Sequence, residues 1–147
     1  METEALLSFR KKFRLDLLTI QSNRHWILSV RPGQLTLGSM VVSSVNNNLN
    51  FTDLSLEAGS DLSSILAIAE NAAKQIYGAV RINVVCLMMQ DPLIHFHIIP
   101  RYDNPLVRYN VEWVDNYWPG PPVFHALTTS EDILKSVKTD IIDYLNG

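Results

Sequence analysis

The sequence predicts a single α+β domain in which helices pack on an antiparallel sheet. Short apolar, β-prone runs stand close together in the chain, which is typical of antiparallel strands. Between and after these runs lie long segments whose apolar residues recur every three or four positions, as in amphipathic helices. The chain has 147 residues, a length at which roughly two-thirds of the unfolded surface becomes buried. One core is therefore sufficient, and residues 1–147 are taken as one domain.

The composition is that of an ordinary globular protein, with 47% hydrophobic and 18% charged residues. The formal net charge of −3 argues against a nucleic-acid polymer as partner. No window approaches the roughly 20 apolar residues of a membrane helix, and no apolar segment follows a basic start at the N-terminus. The single cysteine, Cys86, lies in an apolar run and cannot form a disulfide within the chain. We therefore expect a cytoplasmic protein without membrane association.

An N-terminal helix and a hairpin are expected first. In residues 3–18, leucines and phenylalanines are interspersed with charged residues, a pattern that predicts an amphipathic helix. Its basic run at residues 10–14 is interpreted as a solvated face and is assigned no function. Residues 25–30 are apolar and β-prone, and the Arg-Pro-Gly-Gln sequence at residues 31–34 indicates a turn. Residues 39–45 then form the second strand of the predicted hairpin.

A long helix and a second hairpin follow. A loop at residues 46–50 leads into a helical region that begins at Asp53 or Ser55. The apolar stripe that marks its packing face consists of Leu62, Ile65, Ile68, Ala72 and Ile76. The apolar runs at residues 81–89 and 93–102 are separated by three residues, which is the spacing of an antiparallel hairpin.

The remainder of the chain combines an irregular segment with a final helix. Residues 103–122 are expected to be irregular because the Trp-Pro-Gly-Pro-Pro sequence at residues 118–122 is too rich in proline for a helix or an inner strand. Residues 130–145 predict a helix with Ser130 as its N-cap and acidic residues in its first turn. Its expected packing stripe is Ile133, Val137, Ile141 and Leu145.

The last predicted strand carries two histidines on one face. Because side chains alternate along a strand, His95 and His97 point the same way, with positions about 6.5 Å apart. Two imidazoles in register can be a nucleophile and its helper, a pair of metal ligands, or structural residues satisfied by neighbours. A zinc site needs a third and usually a fourth protein ligand, and the other histidines and carboxylates show no diagnostic spacing. We therefore expect neither a metal nor a cofactor, and keep a metal-dependent hydrolase as an alternative.

The sequence Leu-Ile-His-Phe-His-Ile-Ile-Pro-Arg-Tyr at residues 93–102 resembles the signature of the histidine triad family. That signature reads His-φ-His-φ-His-φ-φ, where φ is apolar, and is often followed by Pro-Arg. The resemblance covers residues 25–102 through the order of strands, turn and long helix, and is greatest to a divergent bacterial branch. It implies a histidine triad (HIT-like) fold, assembled as a homodimer. His95 takes the place of the nucleophile, His97 that of the phosphate contact, and Leu93 that of the first histidine.

The resemblance implies a reaction at the α-phosphate of a nucleotide. His95 would attack phosphorus, and water or another acceptor would then release the nucleotide from the histidine. Leu93 has no imidazole, but its backbone carbonyl can accept the proton on the far nitrogen of His95 and fix the tautomer. Because the imidazole of the first position is missing, a substrate with a good leaving group is favoured, such as a dinucleoside polyphosphate. The alternative is a catalytically weak nucleotide-binding protein.

Four further residues are assigned to nucleotide or phosphate binding. Ser39 stands where many relatives have an additional histidine, and Gln90 lies in the short turn before the signature. Arg31 lies in the first turn, near the place where relatives contact the ribose or base. Arg101 closes the histidine strand, where a structural salt bridge is an equal alternative to phosphate binding. His125 is assigned no catalytic role.

Overall fold

A five-stranded antiparallel sheet organises the chain in the computed structural model, which describes residues 2–147. Its strands are β1 (Thr19–Ser22), β2 (Trp26–Val30), β3 (Met40–Ser44), β4 (Arg81–Val85) and β5 (His95–Arg101). In space their order is β1-β2-β3-β5-β4, with every neighbouring pair antiparallel. The strand that carries both histidines therefore lies inside the sheet, between β3 and β4.

Within residues 2–147, four α-helices pack around this sheet, namely α1 (Glu4–Lys12), α2 (Leu15–Leu18), α3 (Leu56–Tyr77) and α4 (Glu131–Asn146). The side chain of Ser55 caps α3 by accepting the N–H of Ala58, and Gly78 ends the helix with φ at 76°. The side chain of Ser130 caps α4 by accepting the N–H of Ile133, as predicted. No helix within residues 2–147 has the combination of length and hydropathy that a membrane span requires.

The main core lies on one face of the sheet, beneath α3 and α4. The buried strand residues on this face include Trp26, Leu28, Val30, Met40, Val42 and Ile98. Against them α3 buries Ile65, Ala69, Ala72, Ala73 and Tyr77. Ile65 and Ala72 belong to the predicted stripe, whose other members, Leu62, Ile68 and Ile76, are partly buried beside the core. In α4 the buried positions are Leu134, Val137 and Ile141. The first residue of the buried stripe is therefore Leu134 and not the expected Ile133. Each such apolar side chain contributes about 1.5–3 kcal/mol when it is removed from water.

The opposite face of the sheet carries the histidines and a smaller apolar cluster. This second cluster consists of Leu6, Phe9, Phe13, Leu15, Val41 and Leu93. Val41 lies on β3 directly across from His97, and Ser43 lies across from His95. Since cross-strand partners share a face, α1 packs on the same side of the sheet as the two imidazoles.

The predicted single helix over residues 3–18 is wrong. Helix α1 ends at Lys12, and Arg14 adopts the left-handed conformation with φ at 55° before the short helix α2. Strand β1, which was not predicted, then pairs with β2. The break turns the chain, so that α1 covers one face of the sheet while β1 joins its edge.

The connection between β4 and β5 is longer than predicted. Strand β4 ends at Val85, which pairs with His97, and β5 begins at His95, so residues 86–94 connect the two strands in place of three residues. Met88 in this connection has a positive φ of 52°, which a continuous strand does not allow.

The segment 103–122 is also more regular than expected. It contains a two-stranded hairpin of β6 (Leu106–Arg108) and β7 (Val111–Trp113). Tyr109 and Asn110 form its turn with φ values of 58° and 60°. A two-residue hairpin turn of type I′ requires a positive φ at both of its central residues. This turn carries no glycine that would mark it in the sequence.

Gly38 provides a test of the packing between the sheet and α3. Its φ is 84°, and an added Cβ would lie 2.9 Å from Cδ2 of Tyr77. We expect Gly38→Ala to lower the free energy of unfolding by about 1–3 kcal/mol, because the backbone conformation becomes strained. Gly59→Ala is the control: its Cβ would meet no atom within 4 Å, and alanine in a helix is favoured over glycine by about 0.5–1 kcal/mol. Urea unfolding measures both, and equal midpoints for the two variants would contradict the argument.

Candidate active site

His95 is held in one tautomer by the main chain. The side chain is 3% exposed, and its Nδ1 lies 2.6 Å from the carbonyl oxygen of Leu93. Because a carbonyl only accepts hydrogen bonds, Nδ1 carries the proton and Nε2 keeps its lone pair. The hydrogen bond that the sequence predicts for the Leu93 carbonyl is therefore present, and Nε2 is the free nitrogen of the ring.

The surroundings of His95 favour its neutral form. Burial lowers the pKa of His95, and the nearby cations Lys12 and Arg31 lower it further. The hydrogen bond to Leu93 and the carboxylate of Asp91 act in the opposite direction on this pKa but do not reverse the shift. A neutral imidazole with a free lone pair is the form that can act as a nucleophile.

His97 has a different set of partners. It is 6% exposed, and its Nδ1 accepts a hydrogen bond from Nε of Arg31 at 3.2 Å. Burial, followed by the charge of Arg31, lowers the pKa of His97 to about 3. In the neutral ring the proton is then on Nε2, which can donate to an anionic oxygen. His97 is thus a hydrogen-bond donor that stays neutral at physiological pH.

Aromatic rings enclose the two imidazoles. The rings of Phe9 and Phe13 on α1 stack at 4.4 Å, and the ring of Phe9 lies 4.9 Å from that of His95. The ring of Phe124 lies 5.1 Å from that of His97 on another side. These rings exclude water from the imidazoles, which is the physical reason that the two pKa values fall.

The two histidines line a cavity of about 600 Å³. Its walls come from the end of α1, the turn after β2, residues 87–91 and residues 124–127. Most small-molecule sites fall between about 300 and 1,000 Å³, so this cavity is large enough for a nucleotide. It combines cationic side chains with apolar ones, and can therefore hold an anionic group and a flat apolar group together.

Arg31 and Gln90, which were predicted to bind the nucleotide, both line this cavity. Arg31 donates to His97 through Nε, while its Nη1 donates to the carbonyl of Gly33 at 2.6 Å. The guanidinium is thereby held in place beside the histidine pair.

Arg101 does not reach the cavity, so its predicted contact with phosphate is not supported. It is 2% exposed, and its guanidinium donates to both carboxylate oxygens of Asp115, at 2.7 Å and 3.2 Å. A third bond of 2.7 Å runs from Nη1 to Oδ1 of Asn83. Because Asp115 and Asn83 occupy the guanidinium, Arg101 forms the structural salt bridge that was the alternative to phosphate binding.

Ser39 likewise does not line the cavity, so its predicted contact with phosphate is not supported. It is fully buried, and its Oγ donates to the carbonyl of Thr36 at 2.7 Å and accepts the N–H of Thr36 at 3.2 Å. Both hydrogen bonds close the turn between β2 and β3. The side chain is therefore a turn-stabilising group.

Several residues of the cavity were not assigned to it from the sequence. Lys12 belongs to the basic run interpreted as a solvated face, yet its Nζ lies 2.8 Å from Oδ2 of Asp91 at the cavity. Phe124 and His125 also line the cavity, although the sequence assigned no role to His125 and did not place Phe124 in the site. No local pattern marks these residues, because their contact with the strand histidines arises only when distant segments meet.

Comparison with known proteins supports the fold. No protein-family model matches the chain, and no curated protein matches it either. Among solved structures, a histidine triad protein from Marinobacter aquaeolei VT8 superimposes with a TM-score of 0.70 at 18% identity, over 92% of this chain and 95% of that one. The chain has the histidine triad fold.

Two further structures share this histidine triad fold with the chain. A hypothetical histidine triad nucleotide-binding protein from Sulfolobus tokodaii strain 7 has a TM-score of 0.69 at 12% identity, over 95% of this chain and 91% of that one. The diadenosine triphosphate hydrolase of Plasmodium falciparum, solved in complex with Cyclomarin A, has a TM-score of 0.64 at 14% identity, over 87% and 76%. The predicted α+β class and the predicted resemblance are thus confirmed at the level of the fold.

Leu93 is the residue at which this chain departs from the histidine triad signature. It is fully buried and belongs to the same apolar cluster as Phe9, Phe13 and Val41. Packing against α1 therefore occupies the position at which the signature has its first imidazole. Among residues 2–147, no group of three or more His, Cys, Asp or Glu side chains is arranged to hold a metal ion.

The lowered pKa of His97 predicts how stability depends on pH. An unfolded chain has the ordinary histidine pKa of about 6.5, whereas that of folded His97 is about 3. Between these values the unfolded chain binds more protons, so the free energy of unfolding falls as the pH falls. His97→Gln keeps an acceptor for Arg31 but cannot titrate, and we expect it to lose less stability than the wild type between about pH 7 and about pH 5. Urea unfolding at both pH values is the measurement, and equal losses in the two proteins would contradict the assignment.

Proposed function

We propose that the protein is a nucleotide hydrolase or nucleotidyl transferase that acts at an α-phosphate through a nucleotidyl-histidine intermediate. A dinucleoside polyphosphate is the favoured substrate. The observation that carries the proposal is the hydrogen bond of Nδ1 of His95 to the carbonyl of Leu93. It leaves Nε2 unprotonated on a ring that lines a cavity large enough for a nucleotide. The fold shared with a diadenosine triphosphate hydrolase supports the substrate class.

In the first step, the lone pair on Nε2 of His95 attacks the α-phosphorus. An N–P bond forms, the P–O bond to the leaving group breaks, and the imidazole becomes positively charged. The Leu93 carbonyl stabilises this charge through the proton on Nδ1. Nε2–H of His97 donates to a phosphoryl oxygen, and the charge of Arg31 beside His97 favours the negative charge that builds up there.

In the second step, water attacks the phosphorus of the nucleotidyl-histidine. A P–O bond forms, the N–P bond breaks, and one proton of the water is released to solvent. His95 takes the electron pair of the N–P bond and returns to its neutral form with the proton still on Nδ1. A hydroxyl or phosphate acceptor in place of water gives the transferase reaction. Splitting one displacement into two in this way is the advantage of a covalent nucleophile.

The cavity walls provide contacts for the rest of a nucleotide. Lys12, Arg31 and the amide of Gln90 are available to the phosphate chain. Leu87 and Met89 are 51% and 85% exposed, and both line the cavity. Exposed apolar side chains next to cationic groups suit the stacking of a base or the packing of a sugar.

A catalytically weak nucleotide-binding protein is the second candidate. The observation that favours it is Leu93, which is fully buried against α1 and brings no imidazole to the strand. In this protein the cavity would bind a nucleotide without forming an intermediate. The two candidates therefore differ in whether a covalent bond to His95 forms.

We also propose a cytoplasmic homodimer. Strand β4 lies at the edge of the sheet and pairs only with β5, while Val80 and Val84 are 40% and 42% exposed there. An edge strand with exposed valines is suited to pairing with a second copy. Sedimentation equilibrium is expected to give twice the 16.7 kDa mass of the chain, and a monomer at all concentrations would contradict this assembly.

The covalent intermediate is tested with His95→Ala and the matched variant His25→Ala. His25 does not line the cavity, and its Nδ1 lies 2.7 Å from Oδ2 of Asp61. After mixing with a dinucleoside polyphosphate and rapid quenching, intact mass spectrometry should show a nucleotidyl adduct on the wild type and on His25→Ala. His95→Ala should show none, and its turnover should fall by roughly 10³-fold or more, because the covalent route is closed.

The possible outcomes separate the two candidates. Nucleotide binding without adduct or product in the wild type would favour the binding protein and contradict the enzyme. An adduct that persists in His95→Ala would place the nucleophile elsewhere. Steady-state assays also compare a dinucleoside polyphosphate with a nucleoside phosphoramidate, and turnover of the phosphoramidate alone would contradict the preference for a phosphoanhydride.

A further inference from the structure

In the proposed reaction a poor leaving group needs a proton as its bond breaks, and strand β5 does not supply one. The proton on His95 is bonded to the carbonyl of Leu93 while the other nitrogen attacks. Burial lowers the pKa of His97 to about 3, so this ring is neutral at physiological pH and is a poor acid. Leu93 is apolar, and Ser39 is bonded to Thr36 outside the cavity. A proton donor for such a leaving group therefore has to come from another segment.

The remaining charged and titratable groups that line the cavity are few. Arg31 keeps its proton under all ordinary conditions and cannot act as an acid. Lys12 and Asp91 are paired with each other at 2.8 Å, so each charged group already has a partner. Within residues 2–147, the one other titratable side chain of the cavity lining is His125.

The position of His125 is determined by its neighbour in the chain. The ring of Phe124 lies 5.1 Å from that of His97, and Cζ of Arg31 lies 5.6 Å from the same phenyl ring. These contacts hold the chain at residue 124 beside His97 and Arg31, whereas the rings of Phe9 and Phe13 cover His95. His125 itself is exposed, so its imidazole can exchange protons with solvent.

The direction of the displacement also requires a donor outside β5. In transfer of a phosphoryl group, the attacking and leaving atoms are roughly in line on opposite sides of phosphorus. A donor to the leaving oxygen therefore stands away from the nucleophile. Residues 124–127 form a wall that is separate in sequence from β5, and His125 is its titratable residue.

We propose that His125 is the general acid of this reaction, an inference that rests on the function proposed above. As Nε2 of His95 forms its bond to phosphorus, the imidazolium of His125 gives its proton to the leaving oxygen, and the P–O bond breaks. The neutral His125 then takes a proton from the water that attacks the intermediate. This second transfer restores the imidazolium, so that protons and charges balance over one turnover.

This assignment widens the class of substrates. A polyphosphate leaves with little help. An alkoxide, the phenoxide of a weakly acidic phenol or an amine needs a proton as its bond breaks. With His125 as the acid, the site can release such groups although the first position of the signature is Leu93. The substrate class then extends from phosphoanhydrides to nucleoside phosphate esters and phosphoramidates.

The test uses a series of nucleoside 5′-phosphate aryl esters in which the phenol becomes progressively less acidic. The rate measured is that of adduct formation in a single turnover, because the proposal also gives His125 a role in the second step. In His125→Gln this first step should be about as fast as in the wild type with the most acidic phenol, whose phenoxide leaves without a proton. With the least acidic phenol its rate should be lower by about 10²-fold, the usual contribution of a general acid. His125→Asn serves as a second variant, and His25→Gln, which changes a histidine outside the cavity, should follow the wild type across the series.

The pH dependence gives an independent readout. In the wild type, the rate with a poor leaving group should fall as the pH rises and the general acid loses its proton. In His125→Gln this fall should be absent, because glutamine does not titrate. A structural role for His125 would lower the rate at every pH and for every phenol alike.

Adduct formation separates this inference from the proposed function. If the wild type forms no nucleotidyl-histidine with the most acidic phenol ester, the proposed function fails, and the role of His125 fails with it. If the wild type and both His125 variants form the adduct and show the same dependence on the phenol, the proposed function stands and the inference about His125 is overturned. A steeper dependence in both variants, with adduct formation retained, is the expected result.

Discussion

The hydrogen bond from Nδ1 of His95 to the carbonyl of Leu93 is the interaction on which the rest of the site depends. The acceptor is a main-chain carbonyl two residues before β5 begins, so the bond requires no particular side chain at position 93. The leucine side chain is therefore free to pack against α1. Through this bond a chain that lacks the first histidine of the signature still presents an imidazole with an unprotonated Nε2.

The apolar contacts around this bond set the electrostatics of both histidines. Phe9 and Phe13 cover His95, and Phe124 covers His97, so that water is excluded and the neutral rings are favoured. Arg31 then acts on His97 in two ways, as a hydrogen-bond donor to Nδ1 and as a positive charge that opposes protonation. The two histidines thus share one strand face but have different hydrogen-bond partners, which is the basis for their different proposed roles.

Much of the framework was predictable because it depends on local patterns. Apolar, β-prone runs and turn residues identify β2 and β3, and the capping serines identify the starts of α3 and α4. The break at Arg14 and the early end of β4 at Val85 were missed. Both occur where apolar residues continue along the sequence, and the packing of α1 and of residues 87–91 over the histidine face decides where the regular element ends.

By itself, the sequence determined the α+β class and the strand with His95 and His97 on one face, because each follows from periodic patterns within single segments. The resemblance to the histidine triad signature implied the role of the Leu93 carbonyl. Only the tertiary structure decided which other side chains join these histidines. It brought Lys12 and His125 to the cavity and directed Arg101 and Ser39 to Asp115 and Thr36. The reason is that a cavity forms between segments distant in the chain, so its composition depends on long-range packing and not on the pattern within any one of them.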